Sequence, residues 1–217
     1  MSSELHYKIC MNIDNILHKR NYIPCEDCNV NPYLISQEIF HNEFMNTNDD
    51  EIDRTKLLMK YHKENDPDNL FVIYFANENN IGKPNILNYI RKIKELNAKS
   101  AFLIVKKNFN LLNKKNVISS IAENIVHKLT DVHIEVFEDN ELVINILDNY
   151  LQPEFELVPK NQHDEIFQTF CCNADQLPRM RHDNIVARLL GFRPKDIIKT
   201  TSIFETCGTT INYLYVI

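Results

Sequence analysis

The stretch from Pro153 to Ile217 limits the possible folds more than any other, because its breaks come at fixed places. Glycine is scarce, 3 in 217 residues, and two of them fall here. Gly191 follows an apolar-periodic run, where it predicts a helix stop. Gly208 closes Glu205-Thr206-Cys207-Gly208, where it predicts a turn residue with φ > 0. Asn161 predicts the cap of a short helix with Asp164 and Glu165 in its first turn. Ile166, Phe167, Phe170 and Cys171 then fall on one helical face. Pro178 breaks the chain. Asn184 to Leu190 predicts a second short helix, with Ile185, Val186, Leu189 and Leu190 on one face. Asp196 to Phe204 and Thr209 to Ile217 read as two strands. The stretch is a small α/β module.

Its motifs, in this order and spacing, resemble the fifth, shared subunit of eukaryotic nuclear RNA polymerases. The module alone resembles the small archaeal polymerase subunit that corresponds to that protein's C-terminal domain. The family pattern runs H-x-L-V-P-x-H, Q-L-P-R-I, D-P-V-A-R-Y-x-G, S-E-T-x-G and a final Y-R. Leu157, Val158, Pro159, Gln176, Leu177, Pro178, Arg179, Val186, Ala187, Arg188, Gly191, Glu205, Thr206, Gly208 and Tyr213 match it. Phe155 and Asn161 replace the two histidines, Asn184 and Ile185 replace Asp-Pro, Phe204 replaces Ser, and Leu214 replaces the final Arg. Several ordered motifs together are specific, where one alone is weak.

A chain of 217 residues is long enough for one large or two small domains and a sizeable core. The formal net charge of −6 excludes a generally basic nucleic-acid binder, so any DNA contact must come from a local patch. No apolar run is long enough to span a bilayer, and Met1-Ser2-Ser3-Glu4 does not read as a signal peptide. The cysteines Cys10, Cys25, Cys28, Cys171, Cys172 and Cys207 carry no secretory context and read as reduced thiols. Heavy Asn and Ile use with little Gly is the composition of an AT-rich genome. Divergent copies of this subunit occur in large nucleocytoplasmic DNA viruses, so a viral source is expected. The chain would then work at a cytoplasmic site of viral transcription and enter the virion; a cellular copy would be nuclear.

From the N-terminus, Ile9, Ile13, Ile16 and Leu17 form one buried helical stripe that ends at Asn21-Tyr22-Ile23-Pro24. Asn31-Pro32 predicts the start of a second helix running to about Phe44. Asn46 to Asp53 reads as a solvated acidic loop. Thr55 to His62 and Leu70 to Phe75 are β-rich and predict a hairpin turning at Asp66-Pro67. Pro84 to Asn97 is amphipathic. Ala101 to Val105 predicts a buried strand, Leu112 to Leu129 a helix, and Val132 to Phe137 a strand; Leu142 to Ile146 is a further apolar run. This order implies a mixed sheet flanked by helices. The resembled family has it in a jaw domain of restriction-endonuclease-like topology. The expected fold is α/β (α+β), with a jaw domain over residues 1–147 and a polymerase-assembly domain over 148–217.

Four constellations bear on chemistry. Nucleases of the jaw's topology hold a metal on an Asp and an acid-x-Lys of the next strand. Asp68 precedes a strand, but Ala101 to Val105 carries no acid, so Asp68 reads as a turn residue. Cys25-Glu26-Asp27-Cys28 supplies half a zinc site, and the sequence offers no other half; the two read as buried or loop thiols. Lys106, Lys107, Lys114 and Lys115 are the densest basic patch of the jaw. In the resembled family the same loop carries Thr-Pro-Ser-Ala-Lys facing downstream DNA; here only Lys114 matches. Phosphate contact needs cations and no sequence-specific geometry, so these lysines are candidates for it. Arg91, Lys92 and Lys94 lie on a polar helix face and read as solvent-facing.

The last constellation is the tail. Ile211 to Ile217 is apolar on nearly both faces, so it is either sandwiched internally or covered by a partner. A module of about 65 residues is small to cover both faces itself, which favours a partner. Arg179 and Arg188 suit charge-assisted pairing. Interface candidates are Leu157, Pro159, Leu177, Pro178, Arg179, Arg188, Glu205, Thr206 and Tyr213. The resemblance implies a non-catalytic polymerase subunit whose tail anchors on the largest subunit, beside the other subunits, while the jaw nears downstream duplex DNA. It implies no cofactor, metal, membrane or small-molecule substrate. The alternatives are a metal-dependent nuclease and a free-standing transcription regulator that docks by the same tail.

Overall fold

Ile9, Ile13, Ile16 and Leu17 are all buried along α1 (Ser3–Lys19), as their spacing requires. The computed structural model describes residues 3–26, 30, 35–45, 52–78, 83–106, 132–204, 206 and 208–217. It has mixed α and β content in two compact units, 1–144 and 145–217. The sequence places that division at 147/148.

The first unit is built on a five-stranded sheet in the order β1-β2-β3-β4-β5. The strands are β1 (Tyr22–Pro24), β2 (Leu58–Lys63), β3 (Asp66–Phe75), β4 (Ser100–Val105) and β5 (His133–Glu138). β1, β2 and β3 pair antiparallel; β3, β4 and β5 pair parallel. β3 crosses to β4 through α3 (Lys83–Glu95). Every residue of β4 is buried, which is why it reads as an unbroken apolar run. On one face Val72, Ala101, Leu103 and Val136 meet Ile86, Ile90 and Ile93 of α3. On the other, Phe71, Phe102 and Phe137 stack edge to face across three strands, with centroids 4.8 Å apart at each step. α1 joins that second face through the Tyr61 hydroxyl, which donates to Asp14 Oδ1 at 2.9 Å.

Two expected elements shift. The second helix, α2 (Gln37–Phe44), starts at a different cap: Ser36 is extended and its Oγ accepts from the Ile39 amide. Asn31-Pro32 lies outside the described residues, as does the expected helix from Leu112 to Leu129. The β2–β3 turn is Glu64-Asn65, not Asp66-Pro67. The reason is the missing amide hydrogen of Pro67. His62 pairs with Leu70 and Lys63 with Asp66, so Pro67 to Asn69 fall in a slip of register where no ladder donor is needed. Thr55, expected to begin a strand, instead lies in a short 3-10 turn, Arg54–Lys56, capped by Asp53, and β2 begins at Leu58. The Thr55 side chain donates to the Asp53 carboxylate and holds that carboxyl below its usual range.

Arg54 is buried and closes the unit. Its guanidinium meets Asp139 at 2.7 and 3.0 Å, at the start of α4 (Asp139–Leu142). It also donates to the Ile104 carbonyl at 3.1 Å and lies 3.1 Å from His6 Nε2.

The second unit has a four-stranded sheet in the order β6-β8-β9-β7. Its strands are β6 (Glu154–Leu157), β7 (Arg179–Met180), β8 (Ile197–Phe204) and β9 (Gly208–Val216). α5 (His163–Thr169) covers one face, where Val158, Ile166 and Ile197 are buried beside Tyr213 and Tyr215. α6 (Ile185–Leu190) covers the other, over Ala187, Phe192, Ile198 and Val216. Asn184 caps α6 through its side chain, which accepts from the Val186 amide at 2.9 Å, and Gly191 ends it at φ 74°. Asn161 does not cap α5. It lies within a 3-10 turn, Lys160–Gln162, that runs directly into the helix.

The buried fork of Arg54 and Asp139 sets the first prediction. Arg54→Ala leaves the Asp139 carboxylate buried without its partner and should cost about 3–5 kcal/mol. Arg54→Met with Asp139→Leu should recover most of that loss. Urea unfolding of the three proteins measures it; equal midpoints for Arg54→Ala and wild type would show that the fork contributes nothing.

Candidate protein-docking surface

β8 and β9 run past their neighbours. β6 pairs with β8 between Ile198 and Thr201, and β7 pairs with β9 only at Tyr215 and Val216. Beyond those points the two strands pair only with each other, out to Phe204 opposite Gly208. Three apolar side chains stand unburied there, among Ser202, Thr209, Thr210 and Asn212. Ile203 is 83% exposed, and Phe204 and Ile211 are each 51% exposed. Directly opposed residues share a face, so Ile203, Ile211 and Tyr213 lie along one side of the hairpin. That is the side α5 covers at its base. Phe170, 56% exposed just past α5, stacks on Tyr213 with ring centroids 5.5 Å apart. The strip thus runs from the edge of the inner core to the hairpin end.

A groove of about 340 Å³ opens beside it, lined by Leu157, Pro159, Gln162, Phe170, Lys199 and Tyr213. Lys199 and Glu156 pair across it at 3.2 Å, on the β8–β6 ladder. Glu156, Glu165 and Thr169 line it as well, so the groove mixes apolar and polar side chains, as a protein interface does.

The interface candidates from the sequence divide. Leu157, Pro159 and Tyr213 come together at the groove, with Leu157 half exposed. Thr206 is exposed at the hairpin turn, while Glu205 lies outside the described residues. Pro178 and Arg179 are exposed at the opposite sheet edge. Leu177 is instead half-buried against the α5-side core. Arg188 is half-buried on α6, over the other face. The tail is also sandwiched by its own helices at Ile197, Ile198 and Val216, so module size alone does not demand a partner there. What remains uncovered is the hairpin end. Ile203, Phe204 and Ile211 were not among the candidates. The signal for them was strand length, since β8 and β9 have 8 and 9 residues against 4 and 2 for β6 and β7.

Of the lysine patch, Lys106 directly follows β4; Lys107, Lys114 and Lys115 lie outside the described residues. Arg91, Lys92 and Lys94 are exposed on α3. Asp68 is exposed in the β3 slip, and β4 beside it carries no carboxylate. Among the described residues, no three His, Cys, Asp or Glu side chains gather as a metal cage. No helix among them is long and apolar enough to cross a membrane. The Cys10 thiol is buried, and burial pushes its pKa far up.

Residues 144–216 match the family described as RNA polymerase Rpb5, C-terminal domain. The chain is 27% identical over 162 residues to the Dictyostelium discoideum protein named DNA-directed RNA polymerases I, II, and III subunit rpabc1, covering 75% of this chain and 79% of that one. It is 24% identical over 211 residues to RPABC1 of the same three polymerases from Caenorhabditis briggsae, covering 97% and 95%. The Caenorhabditis elegans counterpart is 24% identical over 164 residues, covering 76% and 74%.

Exposed side chains that serve docking contribute little to the fold of the free chain. Ile203→Ser with Ile211→Ser should therefore shift stability by no more than about 0.5 kcal/mol. Ile198→Ala, at a buried position of the same strand, should cost about 2–5 kcal/mol. Chemical unfolding compares the two; a large loss in the serine variant would place the hairpin end in the core's energetics.

Proposed function

We propose that this chain is a non-catalytic subunit of a multisubunit DNA-directed RNA polymerase. The match over residues 144–216 carries the reading, and it falls on the unit that bears the apolar hairpin and groove. The second unit is the anchor. Its strip of exposed Phe170, Ile211 and Ile203 with half-buried Tyr213 docks on the largest subunit, and burial of that strip supplies the driving force. The first unit is the jaw, and it lies near downstream duplex DNA. Nucleotide addition belongs to the other subunits. A source in a large DNA virus, with transcription in the cytoplasm, belongs to the same reading and rests on composition. The nuclease alternative lacks its second carboxylate. Between the polymerase and regulator readings, matches that reach 97% of the chain favour the polymerase, because they include the jaw as well as the docking module.

Affinity purification of the tagged chain from its native source tests the reading. The wild-type chain should bring down the large polymerase subunits in fixed stoichiometry. Ile203→Ser, Phe204→Ser and Ile211→Ser together should lose them while the chain stays folded. Capture of a full polymerase by the triple variant would refute docking through this surface; wild-type chain recovered without polymerase would refute the function.

The jaw's lysines are tested separately. If Lys106, Lys107, Lys114 and Lys115 touch phosphates, each lost contact lowers the salt slope of polymerase–DNA binding by about one unit. Changing all four to Ala should leave assembly intact, weaken elongation complexes and flatten their salt dependence. Dissociation of preformed complexes across a salt series measures this. Equal slopes would make the lysines a solvated face.

A further inference from the structure

β1 is an edge strand of the five-stranded sheet. Its ladder pairs Ile23 with His62 and Pro24 with Tyr61. The Cys25 amide extends the ladder by one step, donating to the Lys60 carbonyl at 2.9 Å. Side chains alternate along a strand, so Cys25 shares a face with Ile23, Lys60 and His62. On that face the Cys25 Sγ lies 3.5 Å from His62 Nδ1. Both side chains are half-buried, so the thiol is held in one place and is still reached from solvent. An imidazole beside a thiol can take its proton as the sulfur reacts, and the thiolate is the nucleophilic form.

Two other described cysteines differ in setting. Cys10 is sealed in the core, where burial disfavours its thiolate. Cys171 is exposed, and its Sγ donates to the Gln168 carbonyl at 3.6 Å, a group that takes up no proton from it. Exposure alone would make Cys171 the more reactive of the two. Chemistry would make it Cys25.

We propose that Cys25 and His62 form an imidazole-activated thiol that takes up low-molecular-weight disulfides of the glutathione type as a reversible mixed disulfide. The proton of Cys25 passes to His62 Nδ1. The thiolate attacks one sulfur of the disulfide, a new bond forms from Cys25 Sγ to that sulfur, and the original sulfur–sulfur bond breaks. One glutathione leaves as a thiolate and takes the proton from the imidazolium. Cys25 is oxidised, and the released half of the disulfide is reduced to a thiol. An excess of reduced glutathione reverses the exchange. The adduct is on a side chain, so it lies on the sheet face and leaves the backbone ladder closed.

The test treats the full chain with glutathione disulfide near neutral pH, quenches with acid at intervals, and maps adducts by peptide mass spectrometry. Cys25 should react at least about tenfold faster than the more exposed Cys171. His62→Gln should slow Cys25 by a similar factor and leave Cys171 unchanged. Cys10 is an internal reporter of the fold, since it gains an adduct only if the core opens. Should Cys10 react in His62→Gln, His62→Asn is the second variant, and it too should slow Cys25. Equal rates at Cys25 and Cys171 in the wild type would overturn the proposal, whatever the variants do. So would an undiminished Cys25 rate in a folded His62→Gln.

Discussion

The buried fork between Arg54 and Asp139 is the contact on which the first unit depends. It joins segments that lie far apart in sequence: the turn before β2, the end of β4 through the Ile104 carbonyl, the start of α4, and α1 through His6. Both side chains are almost wholly buried, at 4% and 1% exposed. A pair of that kind adds little net stability, because desolvation consumes much of the Coulombic gain. Its effect is on geometry. A guanidinium presents donors in one plane, and two of them are aimed at one carboxylate. Any packing that displaces α4 or the β4 end by a few ångströms leaves charges buried and unpaired. The rest of the interface follows the same rule. Asn12 on α1 donates to the Leu142 and Val143 carbonyls at 2.8 and 2.9 Å, which the end of α4 would otherwise leave unsatisfied. Polar residues along α1 thereby fix the placement of a helix whose apolar stripe alone would tolerate sliding.

In the second unit the constraint is coverage. A short sheet with a helix on each face buries only as much strand as those helices span. Ile197, Ile198 and Val216 lie inside that span and are sealed; Ile203, Phe204 and Ile211 lie beyond it and are not. Strands that outrun their cover carry a cost in solubility unless something else covers them. The exposed hairpin end is the observation on which the proposed docking rests. The groove at Leu157 and Phe170 continues the same uncovered margin toward β6.

Long-period features were legible in the sequence. The α1 stripe, the β4 run, and the Asn184 and Gly191 limits of α6 each follow from spacing or from one residue's backbone preference. Short edge strands were not. β1, β6 and β7 have 3, 4 and 2 residues, too few to show a period, and they exist because a neighbouring strand supplies a ladder. Arg54 was invisible for a related reason. A lone arginine after an acidic loop reads as surface until its partner, 85 positions on, is brought beside it. The docking surface was legible in part. The motifs located the module and brought Leu157, Pro159 and Tyr213 together. They could not tell a half-buried Leu177 from an exposed Ile203, because that distinction lies in where the two helices stop.

The departures from the family pattern sort by the same physics. Asn184 stands in place of Asp and still caps α6, because an amide oxygen accepts from the Val186 amide as a carboxylate would. Phe155 and Leu214, in place of His and Arg, are both drawn into the cluster beneath α6. They flank β8 on one face: Phe155 is opposite Thr200, and Leu214 is opposite Ile198. Two polar-to-apolar exchanges that meet in one layer act as a single change. Together they extend the apolar layer across three strands. Phe204, in place of Ser, goes the other way and adds apolar area to the exposed hairpin end. The inner layer and the exposed hairpin end are thus both more apolar than the pattern, and a partner of the kind proposed would have to offer an apolar surface in return.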